Sequence, residues 1–558
     1  MTKGPGRLCS RTVFQAMAAA SPKNLLETLG RALLAGRHAE ALSLAEAALG
    51  AGLEHPLPLR LLALARQDAG RFQDAVELHR RRLRLTPLDP AAWAELAQTL
   101  LMARRPADAL DAYAQGLGRT PDACALLCGK ARVLQSLSRI EEAEVLYARA
   151  LALSPAAFEA GFGLAALKLE SGDFDGAGIA AEELRARHGA LPDLDWLEAR
   201  AALGRGRAAQ AREIAARRLQ APGLSAPQRA DMLLLQGEAQ DALGRPAEAF
   251  ASACEGKAIQ RWLYAERAAG RESYAGRCER LAAWFAAADP GLWRQAPEPS
   301  PVPEEAAAHA FILGFPRSGT TLLEQALAGH PEVVALEEAP TLQAAHAHFM
   351  SDAAGLERLA RLSPVDAERW RASYWTEVKA QGVGVKGRLF IDKAPAETVS
   401  LPLIAKLFPQ AKLLFALRDP RDVVLSCLRN GFQLNAMTYA FTRLDEAAAG
   451  YDRCMSLAAI YRRLLPLDLH EVRHERLVED FETELAAIAA VLGLGMHPAM
   501  ADVAATASRR RVRTPSAVQV RAGLSRQGLG RWRAYAEQMQ PVQRTLAPWV
   551  KRFGYASG

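Results

Sequence analysis

The sequence predicts a two-part fold: an α-solenoid of short helical repeats, then an α/β domain with a parallel sheet flanked by helices. Two observations carry this. A short segment recurs every 34 residues through the first half of the chain. Past a proline-rich stretch the pattern changes to apolar runs of strand length, each leading through a turn into a helix.

At 558 residues, 50% hydrophobic and 23% charged, the chain belongs with ordinary globular proteins and not with disordered or fibrous ones. Lys+Arg 69 against Asp+Glu 62 gives a net charge of +7, a mild surplus that fits an anionic ligand site or simply a solvated surface. No nucleic-acid partner is expected. The seven cysteines (Cys9, Cys124, Cys128, Cys254, Cys278, Cys427, Cys454) are odd in number and form no CxxC pair, which points to a reducing, cytoplasmic compartment. Cys124 and Cys128 read as two small buried helix residues, not as half a metal site. No apolar run approaches the roughly 18 residues that span a bilayer. The segment 1–22 is only a poor look-alike of a targeting peptide, and the expectation is a flexible tail.

The recurring segments are GRHAEAL from Gly36, GRFQDAV from Gly70, RRPADAL from Arg104, SRIEEAE from Ser138, GDFDGAG from Gly172 and GRAAQAR from Gly206. A seventh, GRPAEAF from Gly244, follows a four-residue insertion. Glycine ends one helix where a left-handed residue costs least. Five positions on, Ala41, Ala75, Ala109, Ala143, Ala177, Ala211 and Ala249 let the second helix approach the first closely. Pro87, Pro121 and Pro155 close their repeats, since proline cannot continue a helix.

This pattern resembles the tetratricopeptide repeat family, best in the third copy, with Trp93, Leu96, Ala97, Ala109, Tyr113 and Pro121 at the family's positions. The resemblance covers residues 23–275 and implies stacked helix pairs whose groove takes a peptide or partner protein, or an array that only positions the second domain. Residues 276–307 read as a capping helix beginning at Glu279 and an extended spacer carrying Pro297, Pro299, Pro301 and Pro303. The second domain is expected over 308–556.

HAFILGF reads as a buried strand, PRSGTT as a tight turn and LLEQALAGHP as a helix. That is the construction of an anion cradle at a helix N-terminus. From Gly314 to Thr321 the spacing is that of a nucleotide-binding GxxxxGK[ST] loop, but Thr320 stands in place of the lysine. An ATP-using kinase is therefore disfavoured. Arg317 supplies positive charge from within the loop. In AKLLFALRDPRDVVLSCLRNGF a strand gives way to Arg418, then Asp419 as an N-cap and Pro420 at the first helical position. Ser426, two turns beyond Asp419, returns to the same face.

PRSGTTLL resembles the 5′-phosphosulfate loop of sulfotransferases that use 3′-phosphoadenosine 5′-phosphosulfate (PAPS), and RDPRDVVLS resembles their 3′-phosphate element. FIDKAP, VRHERLVEDFETEL and RTPSAVQVRAGLSRQGLGRWRAY extend the likeness across residues 308–556, most closely to repeat-linked sulfotransferases and more distantly to tyrosylprotein sulfotransferases. The resemblance implies Glu338 as catalytic base, Lys393 assisted by Ser516 against charge on the leaving phosphate, and a grip on PAPS by Arg317, Ser318, Gly319, Thr320, Thr321, Arg418 and Ser426. Arg531 would add charge near the phosphates, and His474, at a position held by tyrosine in tyrosine-sulfating relatives, would stack on adenine. Glu337 is a neighbouring carboxylate that only the family register separates from Glu338. Pro340 stands where those relatives place an arginine that recognises acidic peptides. No metal is expected. His346 and His348 lack further ligands, and His330 before a proline reads as a helix cap. The expected activity is sulfuryl transfer from PAPS to a hydroxyl acceptor, whether peptidyl tyrosine, another protein or glycan hydroxyl, or a small molecule. The alternative is a non-enzymatic repeat protein with a degenerate nucleotide-binding domain.

Overall fold

The computed structural model describes residues 22–103, 105–137, 139–294, 306–510, 520–521 and 523–556. Its tertiary contacts divide the chain into two compact units, Met1–Leu167 and Lys168–Gly558. The N-terminal part is a helical repeat array and the C-terminal part a five-stranded parallel sheet flanked by helices.

In the first unit the helices pair as Pro22–Leu34 with His38–Gly50, Pro56–Asp68 with Phe72–Leu85, Pro90–Met102 with Pro106–Arg119, and Cys124–Ser136 with Ile140–Leu153. The repeat chemistry is visible in the backbone: Gly36 and Gly70 follow the first helix of their pairs at φ 69° and 72°. Ala41, Ala75, Ala109 and Ala143 are buried at the helix crossings. Each tyrosine of the pattern also packs on a glycine of the next helix. A Cβ at Gly129 would lie 2.6 Å from the Tyr113 hydroxyl, and one at Gly163, 34 residues on, would collide with the Tyr147 ring. Cys128 is buried, and Cys124 donates its thiol to the Ala150 carbonyl (3.5 Å). The repeat segments that start at Arg104 and Ser138 begin on positions outside the described residues.

The second unit holds the later repeats, with Phe174–His188, Pro192–Gly204, Ala208–Gln220, Ala226–Ala242 and Pro246–Ala268 each packed on the next. The helix expected from Glu279 starts earlier, at Tyr274, because the Ser273 side chain accepts the Gly276 N–H and so caps it there. Its Tyr274, Cys278, Leu281 and Phe285 join the same apolar cluster as Phe315, Tyr451 and Tyr461, so it is part of the α/β core. The proline spacer lies outside the described residues.

The sheet contains β1 (Ala306–Gly314), β2 (Val333–Glu337), β3 (Arg388–Lys393), β4 (Lys412–Leu417) and β5 (Leu469–Arg473), in the order β2-β3-β1-β4-β5, every neighbouring pair parallel. The chain leaves β1 toward β2 on one side and later builds β4 and β5 on the other. This order places a topological switch between β1 and β4, where open α/β sheets gather ligands at the strands' carboxyl ends.

Gly129→Ala should destabilise the protein by about 1–3 kcal/mol, although alanine is the better helix former, because the added methyl has no room beside Tyr113. A denaturation midpoint equal to or above that of the parent would refute this packing account.

Candidate functional site

All five strands end on or just before a residue singled out by the sequence. β1 runs into the turn that carries Arg317 and Ser318, β2 into Glu338, β3 ends on Lys393, β4 precedes Arg418, and β5 precedes His474.

After β1 the turn closes with Ser318 N–H donating to the Phe315 carbonyl (3.1 Å). Arg317 adopts a left-handed backbone (φ 73°) and Gly319 follows at φ 95°. The helix Thr320–Ala328 then starts with no side-chain cap, so the N–H groups of its first turn face the loop. A side chain at Gly319 would collide with His474 Nδ1, which explains the glycine by close approach as well as by conformation. Ser318, Thr320 and Thr321 are buried.

β4 delivers the second element. Asp419 caps the helix Pro420–Arg429 by accepting the Arg421 N–H (2.9 Å), with Pro420 at the first helical position as expected. Arg418 Nη1 donates to the Arg317 carbonyl (3.2 Å), and Arg317 Nε donates to Ser426 Oγ (2.9 Å). Asn430 Nδ2 donates to the same hydroxyl (3.2 Å). With both lone pairs of Ser426 engaged, its proton is what it can offer to an anion. The two sequence motifs, a hundred residues apart, thus meet at one point.

That point is strongly cationic. Burial lowers Arg317 to about 10, with the charge of Arg418 the next cause. His474 is held well below its ordinary value by burial and then by the two arginines, which keeps its imidazole neutral. Among the described residues, Arg418 Nε and His474 Nδ1 are buried and hydrogen-bond to nothing. Both line a cleft of about 1070 Å³ together with Ser426 and Gly319.

On the other side of β1, Lys393 is fully buried and donates to Glu337 Oε1 (3.0 Å) and Glu338 Oε1 (2.9 Å), with Glu324 Oε2 at 3.7 Å. Burial alone would lower the lysine, but the three carboxylates outweigh it and hold the ammonium charged. Glu338 keeps 47% of its side-chain surface exposed whereas Glu337 keeps 8%, so the two neighbours differ in access to solvent. Glu338 is also left-handed (φ 49°), fixed by its N–H donating to the Lys393 carbonyl (2.8 Å). Behind it Thr341 Oγ1 (2.7 Å) and the Tyr374 hydroxyl (2.8 Å) donate to Asp392, whose carboxyl burial raises to about 6.

Comparison with known proteins bears directly on these motifs. Residues 310–498 match the profile of the sulfotransferase family, and residues 60–123 match the tetratricopeptide repeat. The sulfotransferase match falls on the α/β part of the chain. It is 31% identical over 195 residues to protein-tyrosine sulfotransferase 2 of Gallus gallus, covering 33% of this chain and 50% of that protein. It is 29% identical over 218 residues to nodulation protein NoeE of Sinorhizobium fredii, covering 34% and 50%. A solved tetratricopeptide repeat protein from Parabacteroides merdae aligns at TM-score 0.37 and 17% identity, covering 43% of this chain and 93% of that chain. The chain spans about a third to a half of the length of the curated relatives it matches first.

Other expected residues of the second domain fall differently. Ser516 lies outside the described residues. Arg531 lines the cleft, yet its guanidinium is held by the carboxylate and carbonyl of Asp241, so its charge is already partnered there. His330 closes the end of the helix Thr320–Ala328 by donating its N–H to the Leu327 carbonyl (3.0 Å), and its Nδ1 accepts the Glu332 N–H (3.1 Å) in the following turn. No group of three or more His, Cys, Asp or Glu among the described residues is arranged to hold a metal ion.

Sequence reasoning missed Asp422, which accepts the N–H groups of Gly530 (2.7 Å) and Trp532 (2.8 Å), and Asn430, which steadies Ser426. Both sit in or beside the second motif, so their place in it was the available signal. Glu324 was also missed, because LLEQALA reads as an apolar helix.

Burial, then the charge of Glu337, pushes Glu324 up to about 7 from an ordinary 4.5. The folded state therefore holds a proton that the unfolded state has released, and this contribution to stability is lost as pH rises through the folded value. Glu324→Gln should flatten the fall in melting temperature between about pH 5 and about pH 8. Parent and variant curves of equal slope would contradict the assignment.

Proposed function

We propose that the domain transfers a sulfuryl group from PAPS to a hydroxyl acceptor. The observation that carries this reading is the junction in which Arg418 donates to the Arg317 carbonyl while Arg317 donates to Ser426. Two phosphate-binding elements joined in this way suit one ligand with two anionic ends. The buried Arg418 Nε and His474 Nδ1, with no hydrogen-bond acceptor or donor among the described residues, are polar atoms that such a ligand would satisfy.

PAPS supplies an activated sulfuryl group on a phosphate leaving group. The residues around it divide the remaining work. Arg317 and the first-turn N–H groups of Thr320–Ala328 hold the 5′-phosphosulfate end, with Ser318, Gly319, Thr320 and Thr321 shaping the loop. Arg418 and the Ser426 hydroxyl hold the 3′-phosphate. Neutral His474 offers a flat face to the adenine, and Arg531, paired with Asp241, is the expected cation of the cleft wall.

Glu338 takes the proton of the acceptor hydroxyl. The acceptor oxygen bonds to sulfur, and the bond from sulfur to the bridging phosphate oxygen breaks, with its electron pair going to the phosphate. Lys393 stabilises the charge arriving on that oxygen. Protonation of Glu338 removes one of the lysine's carboxylate counter-charges at the moment the leaving oxygen gains charge, which couples the two residues. Ser516 is assigned to assist Lys393. Tyrosine is the first acceptor to test, because relatives bear the name protein-tyrosine sulfotransferase. The repeats would bring a peptide or protein partner, and a location in the cytoplasm is consistent with the free cysteines.

Arg317→Ala and Arg418→Ala should each abolish saturable binding of adenosine 3′,5′-bisphosphate in calorimetry. Glu338→Gln should keep that binding but lower sulfo-group incorporation, read by mass spectrometry with labelled PAPS and a cell extract, by about 10²–10⁴-fold. Parent protein that gives no saturable heat would overturn the reading in favour of a non-enzymatic repeat protein. Full turnover by Glu338→Gln would remove the base.

A further inference from the structure

The cleft that holds Arg317, Arg418 and Ser426 has a second wall, and the later repeats build it: Trp196, Arg200, Leu235, Glu238 and Asp241 line the same space. The charge of Glu238 reaches Arg317. At the end of the helix Ala226–Ala242, the Asp241 carboxylate receives Arg429, Arg531 and the Tyr535 hydroxyl. It stays below its ordinary range: burial opposes this, but Arg429, Tyr535 and Arg531 prevail.

Asp241 holds both ends of what surrounds the phosphate site. Arg429 closes the helix that carries Ser426, and the next residue, Asn430, donates to the Ser426 hydroxyl. Arg531 starts the turn whose Gly530 and Trp532 N–H groups bind Asp422 and whose neighbour Gly528 accepts Arg418. Fully buried Lys257 of Pro246–Ala268 donates to the Asn430 carbonyl (2.6 Å), a second tie from the repeats to the same spot.

We propose that the last repeats complete the donor-nucleotide site, with Asp241 as the positioning residue that holds the helix bearing Ser426 and the Arg531 turn against them. This rests on the PAPS reading above. Charge and position predict opposite signs. Removing a carboxylate from a cleft for a doubly phosphorylated ligand would tighten binding if only charge mattered. If Asp241 positions the wall, Arg429 and Arg531 left without it push the wall apart and binding weakens.

The test uses the full chain and adenosine 3′,5′-bisphosphate, with calorimetry and hydrogen exchange. In the parent, the ligand should increase protection of residues 226–242. Asp241→Asn should weaken binding about tenfold, the scale of one lost charge-assisted contact, at unchanged stoichiometry, and Asp241→Glu should recover part of it. Tyr535→Phe, which leaves the charge unaltered, should weaken it less but in the same direction, and it keeps the question open to measurement if Asp241→Asn folds poorly. Equal or tighter binding by both Asp241→Asn and Tyr535→Phe, unchanged affinity with fewer competent sites, or ligand binding without protection of 226–242 would overturn the proposal. A parent that binds no bisphosphate would instead fail the PAPS reading itself.

Discussion

The close approach of β1 and β4 is the constraint on which the site depends. Gly314 ends β1 directly beside Ala416, where an added Cβ would lie 2.7 Å from the Ala416 carbonyl oxygen. With the strands this near, the turn after β1 and the helix after β4 start from the same edge, and Arg418 can reach the Arg317 backbone while Arg317 reaches Ser426. Two elements that are remote in sequence become one cationic surface because a parallel sheet delivers every strand's carboxyl end to the same side.

Backbone strain is concentrated there. Among the described residues the non-glycine positions with left-handed φ are Arg317 and Glu338, one at each side of β1. Such conformations cost on the order of 1 kcal/mol or more and persist only where the surroundings fix them. At Arg317 the fixing partners are Arg418 and Ser426. At Glu338 they are the carbonyl and the ammonium of Lys393. Strain and charge coincide: each site couples an unfavourable backbone to a buried ion whose partners leave it little freedom.

Much of this was legible in the sequence because it is local. The glycine that ends a helix, the alanine at a crossing, Asp419 as a cap and Pro420 at the first turn all act within a few residues of themselves. The strand-turn-helix pattern around Arg317 is of the same kind. Asp241 was not legible. It lies in an ordinary repeat helix, and its partners are almost 200 and 300 residues away, so only packing reveals them. Glu324 was hidden by an apolar helical stretch, and its meaning comes from Lys393 arriving on β3. The helix at Tyr274 starts earlier than expected because of its Ser273 cap, and it packs into the cluster that holds Phe315 and Tyr451.

That same helix bears on how such a chain can be assembled from parts. Cys278, Leu281, Phe285 and Trp293 precede the proline spacer in sequence yet belong to the core built after it. A gene fusion or recombination event with its breakpoint at the spacer would therefore strip the sheet's flank of its aromatic lining. Heritable exchange of the N-terminal module would have to cross over well upstream of Ser273, ahead of the helix that carries Asp241.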